Sequence, residues 1–311
     1  MPRKYVNLDD QTAIFFERQL VYVKQQTYDI IYPEMKARML IPVDTTAGPG
    51  AEFIKYEQFD QVGIAQFVSN YAKDFPRASI KGKEFLQKVR SLGDSYSYTV
   101  QEIRNAQMAG LPLNARLALA AKRGIFLKEN RTAFLGDTEY GFLGLLNHPN
   151  IGHVTLPTDG TGTVSDFLKK TPEQVLRDLN LGVTSIINTT KGVESPNTIL
   201  LSPSYWGFLS TLKIPYSDYT VLEFFLKNSP SCKNAEMVPE LESAGVGSIP
   251  RIIWYDRNPM KLQLAIPQDF EQFPPQEVNL EFQIPCHSRF GGVLFYYPLS
   301  AAYTDDGKAV L

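Results

Sequence analysis

The fold is decided by residues 114–135, which read NARLALAAKRGIFLKENRTAFL. Apolar side chains recur there at helical spacing, so the pattern predicts one long helix. The positions on its apolar side are Leu117, Ala121, Ile125 and Leu135, with Ala120, Gly124 and Leu127 beside them. At ~1.5 Å per residue the helix spans on the order of 33 Å, about the diameter of a small domain. A helix of this length is typical of a subunit that contacts other chains.

The same helix carries an unbalanced charge. Its cations are Arg116, Lys122, Arg123, Lys128 and Arg131. They stand against one acid, Glu129. Such a run is consistent with an ordinary solvated face or with a surface that faces a polyanion.

A second informative stretch covers residues 51–71, AEFIKYEQFDQVGIAQFVSNY. Apolar and polar residues alternate, which predicts a strand, a turn near residues 60–63 and a returning strand that ends at Tyr71. Residues 74–83 look irregular, and a further strand is predicted at residues 95–100. Because an isolated two-stranded hairpin is only marginally stable in water, this one needs support from a sheet or from a neighbouring chain.

Composition limits the possible classes of protein. The 311 residues are 43% hydrophobic, which is enough apolar surface for one large domain or two and excludes a disordered chain. Lys and Arg number 31 and Asp and Glu number 33, with a pI near 6.0, so no global charge favours nucleic acid or anionic lipid. Any affinity for such partners is expected to be local.

Cysteine usage and hydropathy give further limits. Cys232 and Cys286 are the only cysteines, and their spacing predicts buried thiols, with no disulfide framework and no zinc site. The N-terminus lacks an apolar segment of signal-peptide length, and no run approaches the ~20 apolar residues of a membrane span. A protein that stays in a reducing cytoplasm until it leaves the cell is expected, with no membrane partner.

A search for catalytic chemistry finds no convincing set of residues. His148, His153 and His287 do not occur at metal-ligand spacing, and there is no nucleophile elbow or phosphate-binding loop. The acidic pairs at residues 9–10 and 305–306 fit a helix start and a terminal turn. No cofactor and no metal ion are therefore predicted.

The order of elements favours the α+β class. A short helix is expected from Thr99 to Ala109, with Glu102 completing a capping box, and residues 150–164 are a candidate linker. Later segments mix helices and strands without the regular alternation of a doubly wound sheet. The predicted elements are helices at residues 172–190, 203–212 and 219–227, strands at 198–201, 249–255 and 262–266, and further strands within 277–303.

Several motifs in this order resemble one family. They are IPVD at residues 41–44, YTVQEIR at 98–104, AFLGD at 133–137, GFLGLL at 141–146, RFGGV at 289–293 and DG at 306–307. Together they are similar to the major capsid proteins of tailed bacteriophages, which have the Hong Kong 97 fold. Encapsulins, the related bacterial shell proteins, share the passage from a short helix through Gly110 into a long helix. The resemblance covers nearly the whole chain.

The resemblance implies a division of the chain. It consists of an N-terminal arm at residues 1–49, an extended loop at 50–92, a peripheral domain with a long spine helix at 93–164, an axial domain at 165–270 and a return to the peripheral domain at 271–311. The extended loop is expected to lie across a neighbouring subunit. Its candidate assembly residues are Asp60, Gly63, Lys73, Asp74, Arg77, Lys81 and Lys83. No Asn and Glu match those of a covalent Lys–Asn crosslink, so none is expected.

The implied function is structural and not enzymatic. Hexamers and pentamers of the chain would form an icosahedral head around double-stranded DNA, bound without sequence specificity by the five spine-helix cations. Assembly in the bacterial host cytoplasm is expected, with a portal, a possible decoration protein and, because Met1 directly precedes the arm, a separate scaffolding protein. The alternatives are an encapsulin-like nanocompartment and, more remotely, a soluble enzyme.

Overall fold

The computed structural model describes residues 33–62, 79–109, 113–159 and 167–305. The helices are α1 (Ala37–Leu40), α2 (Val100–Ala109), α3 (Leu113–Leu135), α4 (Pro172–Thr189), α5 (Pro203–Thr211) and α6 (Val221–Asn228). The strands are β1 (Val43–Asp44), β2 (Phe53–Val62), β3 (Ser79–Lys88), β4 (Arg90–Thr99), β5 (Gly152–His153), β6 (Thr198–Leu201), β7 (Asn234–Met237), β8 (Arg251–Tyr255), β9 (Leu262–Ala265), β10 (Gln268–Gln272), β11 (Gln276–Val278), β12 (Glu281–Phe290), β13 (Gly292–Phe295) and β14 (Ala301–Asp305). A helix is also predicted in the N-terminal arm from the apolar spacing of residues 14–23, and it lies outside the described residues.

The long helix α3 packs on a sheet in which β12 is central. Strand β4 pairs with β12 over ten consecutive residue pairs, and β10 and β11 pair with the other edge of β12. Ala121 and Ile125 of α3 are buried against Ile284 and Cys286 of β12. Because side chains alternate along a strand, the residues of β4 that face α3 are Leu92, Asp94, Tyr96 and Tyr98.

A second layer of packing joins residues 37–44, called the N-terminal segment below, to the C-terminal strands. Strands β1, β9 and β13 form a three-stranded sheet in which β1 and β9 are parallel. The core beside it takes side chains from α1, from the end of α3 and from the loop that follows α3. Tyr255 donates a hydrogen bond from its buried hydroxyl to the Leu40 carbonyl (2.8 Å), which closes this core at one side.

A separate core lies between α4, α5, α6 and one face of the mixed sheet β5-β14-β8-β6-β7. Each helix begins where the sequence places a capping residue: Thr171 and Thr220 form capping boxes, and Ser202 accepts a hydrogen bond from the Tyr205 amide. The predicted helices and strands of this region are confirmed to within about two residues. The capping box at Thr99 and Glu102 is also present and starts α2.

Strands β2 and β3 form a two-stranded ribbon, and here the sequence prediction is wrong. The turn expected at residues 60–63 is absent through residue 62, because β2 continues and Asp60 pairs with Lys81. The irregular segment predicted around Gly82 is strand, since that glycine leaves room for the Phe59 ring, 3.0 Å from the position a Cβ would take. The strand predicted at residues 95–100 in fact begins at Arg90.

We expect Gly182→Ala to destabilise the α4 core by about 3 kcal/mol. A Cβ at residue 182 would lie 2.3 Å from the Trp254 ring, which is fully buried and has no room to shift. Chemical denaturation followed by tryptophan fluorescence measures the change. The matched control is Gly207→Ala in α5, where a Cβ meets open space, and there a gain of about 0.5–1 kcal/mol is expected. Equal effects of the two substitutions would contradict this account of the core.

Candidate assembly surfaces

The position of α3 is fixed by the buried carboxylate of Glu129. Only 2% of this residue is exposed, and it accepts hydrogen bonds from Arg38 (2.7 and 3.1 Å) and from the Ser288 hydroxyl (2.8 Å). Arg38 also pairs with Asp269 at 2.8 Å and lies over the Phe126 ring. One carboxylate therefore joins α3 to the N-terminal segment and to β12, and Arg38 extends the connection to β10.

The next residue of α3, Asn130, is buried beside Glu129 and binds two further segments. Its side-chain oxygen accepts a hydrogen bond from the Ala37 amide (3.0 Å), and its nitrogen donates to Glu240 (2.6 Å). From the sequence alone, Glu129 is expected to be one acid on a charged surface. The signal that could have located it is the pair of adjacent polar residues close to the apolar side of the helix.

Electrostatics favour the ionised forms of Arg38 and Asp269. Burial by itself lowers the pKa of Arg38, but hydrogen bonds from its guanidinium to Asp269 and Glu129 raise that pKa above its ordinary value. The hydrogen bond from Arg38 also holds the pKa of Asp269 below 3.8. Because the folded-state pKa of Asp269 is depressed, its contribution to stability is present above pH 3.8 and is lost as the pH falls further.

We expect Arg38→Met to lower the free energy of unfolding by about 2–3 kcal/mol at pH 7, because Glu129 would remain buried without its cation. The cost falls below that of a fully buried pair, since solvent reaches part of Arg38. Urea titrations from pH 7 to pH 2.5 measure it. The difference in unfolding free energy between Arg38→Met and wild type should narrow below pH 3.8 as Asp269 takes up a proton. The same Arg38→Met substitution made in an Asp269→Asn background should show no such narrowing, because no carboxylate is left to titrate there. If the difference in unfolding free energy between Arg38→Met and wild type does not change with pH, the role given to Asp269 is wrong.

The structure brings three of the five spine-helix cations together. At 3.6 residues per turn, Arg116, Ala120, Arg123, Leu127 and Arg131 share one side of α3, and we call this set the outer stripe. Four of its members are exposed and Arg123 is half-buried. Two cations lie elsewhere. The ammonium of Lys122 is over the Phe126 and Phe270 rings, and that of Lys128 pairs with Asp137 at 2.7 Å.

The apolar side predicted for α3 is correct in part. Ala121 and Ile125 are buried, but Leu127 and Leu135 are exposed although the pattern placed both toward the core. Near the C-terminal end of the helix, the carboxylate of Glu129 and the carboxamide of Asn130 are buried together with Ala133 and Phe134. The outer stripe consequently mixes apolar and cationic groups.

Candidate assembly residues on the ribbon are only partly described. Asp60 and Lys81 are backbone partners in β2 and β3, and the ammonium of Lys83 lies 4.8 Å from the centre of the Phe85 ring. Gly63, Lys73, Asp74 and Arg77 lie outside the described residues.

The ribbon is anchored at its base. Tyr56 stacks on Phe85 and meets Tyr296 edge-on, with ring centres 4.9 and 4.8 Å apart. Ile54 packs at Gly291, where a Cβ would lie 3.1 Å from the isoleucine side chain. These contacts involve one face of the ribbon, and they set the direction in which it leaves the rest of the unit.

The opposite face of the ribbon has apolar side chains that the described chain does not cover. Phe59 and Ile80 are 60% and 67% exposed, and Phe53 and Leu86 are exposed at the base. Between them Lys55 pairs with two glutamates of the ribbon. Exposed apolar area of this kind marks an interaction surface.

Within the described residues, no helix is long and apolar enough to span a membrane, and no group of three or more His, Cys, Asp or Glu could hold a metal ion. Both cysteines are buried, and burial raises the pKa of the Cys232 thiol to about 12.

Comparison with known proteins decides the family. A model of the major capsid protein family matches residues 63–306, which is most of the chain. The chain belongs to the major capsid protein family. This confirms the resemblance found in the sequence, and a capsid protein is a structural component of a virion. No curated protein matches the chain at a significant level.

Solved structures confirm the α+β Hong Kong 97 fold of this capsid protein. The capsid of Myoviridae phage XM1 is 15% identical, with 93% of this chain and 97% of that chain covered and a TM-score of 0.79. A structure from Mycobacterium phage Bobi is 13% identical, with 95% and 98% covered and a TM-score of 0.64. A virus-like particle from Pyrococcus furiosus is 14% identical, with 86% and 91% covered and a TM-score of 0.53. The encapsulin-like alternative is not better supported.

Proposed function

We propose that this capsid protein assembles into the hexamers and pentamers of an icosahedral phage head that encloses double-stranded DNA. The observation that carries the proposal is the β2–β3 ribbon, ten residues long on each strand, with an exposed apolar face. A two-stranded sheet gains too little from its own contacts to bury such a face, so the missing contacts come from an identical copy. Each contact is modest, and repetition around a closed shell makes the assembly stable.

The parts of the proposed subunit follow the division inferred from the sequence. Residues 50–92 act as the extended loop, residues 93–164 and 271–311 as the peripheral domain, residues 165–270 as the axial domain around symmetry axes, and residues 1–49 as an arm. Strands β5 and β14 belong to the two peripheral stretches in sequence, but they pair within the sheet of the axial domain. The protein acts without catalysis. A scaffolding protein, a portal and a possible decoration protein join it in the host cytoplasm.

We expect Phe59→Ser with Ile80→Ser to reduce the yield of shells at least about tenfold, because the ribbon would lose the apolar contacts it makes on a neighbour. Negative-stain microscopy and sedimentation of the purified chain measure the yield. The far-ultraviolet circular dichroism should be unchanged, since both side chains are exposed.

The matched control is Phe59→Tyr with Ile80→Val, which keeps the apolar surface and should keep the shells. Normal shell yield from the serine variant would reject the role of the ribbon. A wild-type chain that stays monomeric at all concentrations would reject the proposed function as a whole.

The outer stripe of α3 is proposed to face the interior and to attract DNA phosphates. Arg123→Gln with Arg131→Gln should lower the amount of retained DNA and weaken its salt dependence, because fewer counterions are released on binding. Empty shells should form as before. The control is Lys122→Gln, on another side of the helix over aromatic rings. If the double variant and wild type retain equal amounts of DNA, the outer stripe does not bind DNA phosphates.

A further inference from the structure

An acidic hairpin ends the sheet beneath α3. Strands β11 and β12 are joined through Asn279, whose φ of 58° is in the left-handed region that a tight turn requires. Glu277 and Glu281 are exposed on it and make no ion pair within the described residues. Val278 and Leu280 beside them are 50% and 76% exposed. We call residues 276–283 the acidic tip.

A basic groove occupies the opposite end of the same sheet. It is an open cavity of about 530 Å³, lined by Glu52, Phe53, Lys88, Val89, Arg90, Ser91 and Arg289. Three cations therefore face one carboxylate, which leaves a net positive charge. Lys88 makes no ion pair in the described part of the chain, and Arg90 only approaches the Tyr140 ring at 6.0 Å.

Arg289 is held in position at this basic groove by a hydrogen bond. One terminal nitrogen, Nη1, donates a hydrogen bond to the Pro49 carbonyl (2.5 Å). Its Nε is buried and has no hydrogen-bond partner among the described residues. The groove thus offers cationic donors, and the exposed ring of Phe53 supplies an apolar wall.

The tip and the groove cannot neutralise each other within one chain. Glu281 and Arg289 belong to the same strand, eight residues apart, so about 26 Å separates them. Strand β12 is regular along its pairing with β4, which keeps the two ends apart. The sheet is therefore elongated. One end is acidic and partly apolar, and the other end is basic and has an apolar wall.

We propose that the acidic tip of one copy docks into the basic groove of a second copy. The contact joins unlike surfaces, so it is heterologous and repeats from copy to copy until the assembly closes. Opposite charges guide the approach and fix the register, and Val278 and Leu280 bury against the groove wall. This inference rests on the proposed function. It concerns the base of the ribbon, at Phe53 and Lys88, whereas the ribbon contact tested above is made by Phe59 and Ile80 farther along the strands.

The test is a charge swap. Glu277→Lys with Glu281→Lys should reduce shell yield at least about tenfold, and so should Lys88→Glu with Arg90→Glu, because each places like charges in contact. Both pairs avoid Arg289, so its hydrogen bond to Pro49 is kept. Combining all four substitutions restores opposite charges and the wild-type net charge, and it should restore shells.

Folding of each variant is checked by circular dichroism and thermal unfolding. If a charge-reversed variant fails to fold, Glu277→Gln with Glu281→Gln is tested in its place. The shell yield of this neutral variant should not depend on salt concentration in the way that the wild-type yield does. Shells at wild-type yield from either two-residue reversal would overturn the inference. The inference would also be overturned if the variant with all four substitutions folds but forms no shells. Absence of shells from the wild-type chain would instead overturn the proposed function.

Discussion

The carboxylate of Glu129 is the interaction on which the arrangement of this unit depends. It is removed from water toward the C-terminal end of α3, and it is tolerated there because Arg38 and Ser288 supply its hydrogen bonds. Those partners come from segments far away in the sequence, so the helix, the N-terminal segment and β12 must all be in place for the charge to be satisfied. The network therefore favours one relative placement of these elements over others.

That placement leaves surfaces unsatisfied at the periphery. The sheet under α3 has one acidic end and one basic end, and the ribbon that leaves it has an apolar face without cover in the described chain. These features would be liabilities in a monomer, because exposed strands with apolar side chains associate. In the proposed shell the same features are useful, since every copy would offer both halves of each contact.

Local signals in the sequence predicted helix positions well. The capping box predicted at Thr99 starts α2, and Thr171 and Thr220 start α4 and α6 in the same way, because a capping hydroxyl and the residue three positions later interact within a single turn. The length of α3 was also predicted, since its boundaries depend on residues within a few positions. The family resemblance came from short motifs whose order is a property of the chain itself.

Longer-range features were not predictable in this way. The register of the ribbon was missed because Asp60 and Gly82 look like turn residues until the partner strand is known, and pairing across some twenty residues decides that they are strand. The burial of Glu129 was missed because its partner Arg38 is 91 residues away. Helical periodicity places Arg116, Arg123 and Arg131 on one side of α3, but only the folded structure shows that Lys122 lies over Phe270 and that Lys128 pairs with Asp137.

The sequence by itself determined the α+β class, the positions of most helices and the capsid family, because capping, periodicity and ordered motifs act over short stretches of chain. Only the tertiary structure decided which polar groups are buried, where the ribbon is anchored and how charge is divided between the ends of the sheet. Those properties depend on distances between residues far apart in the chain, and folding alone sets such distances.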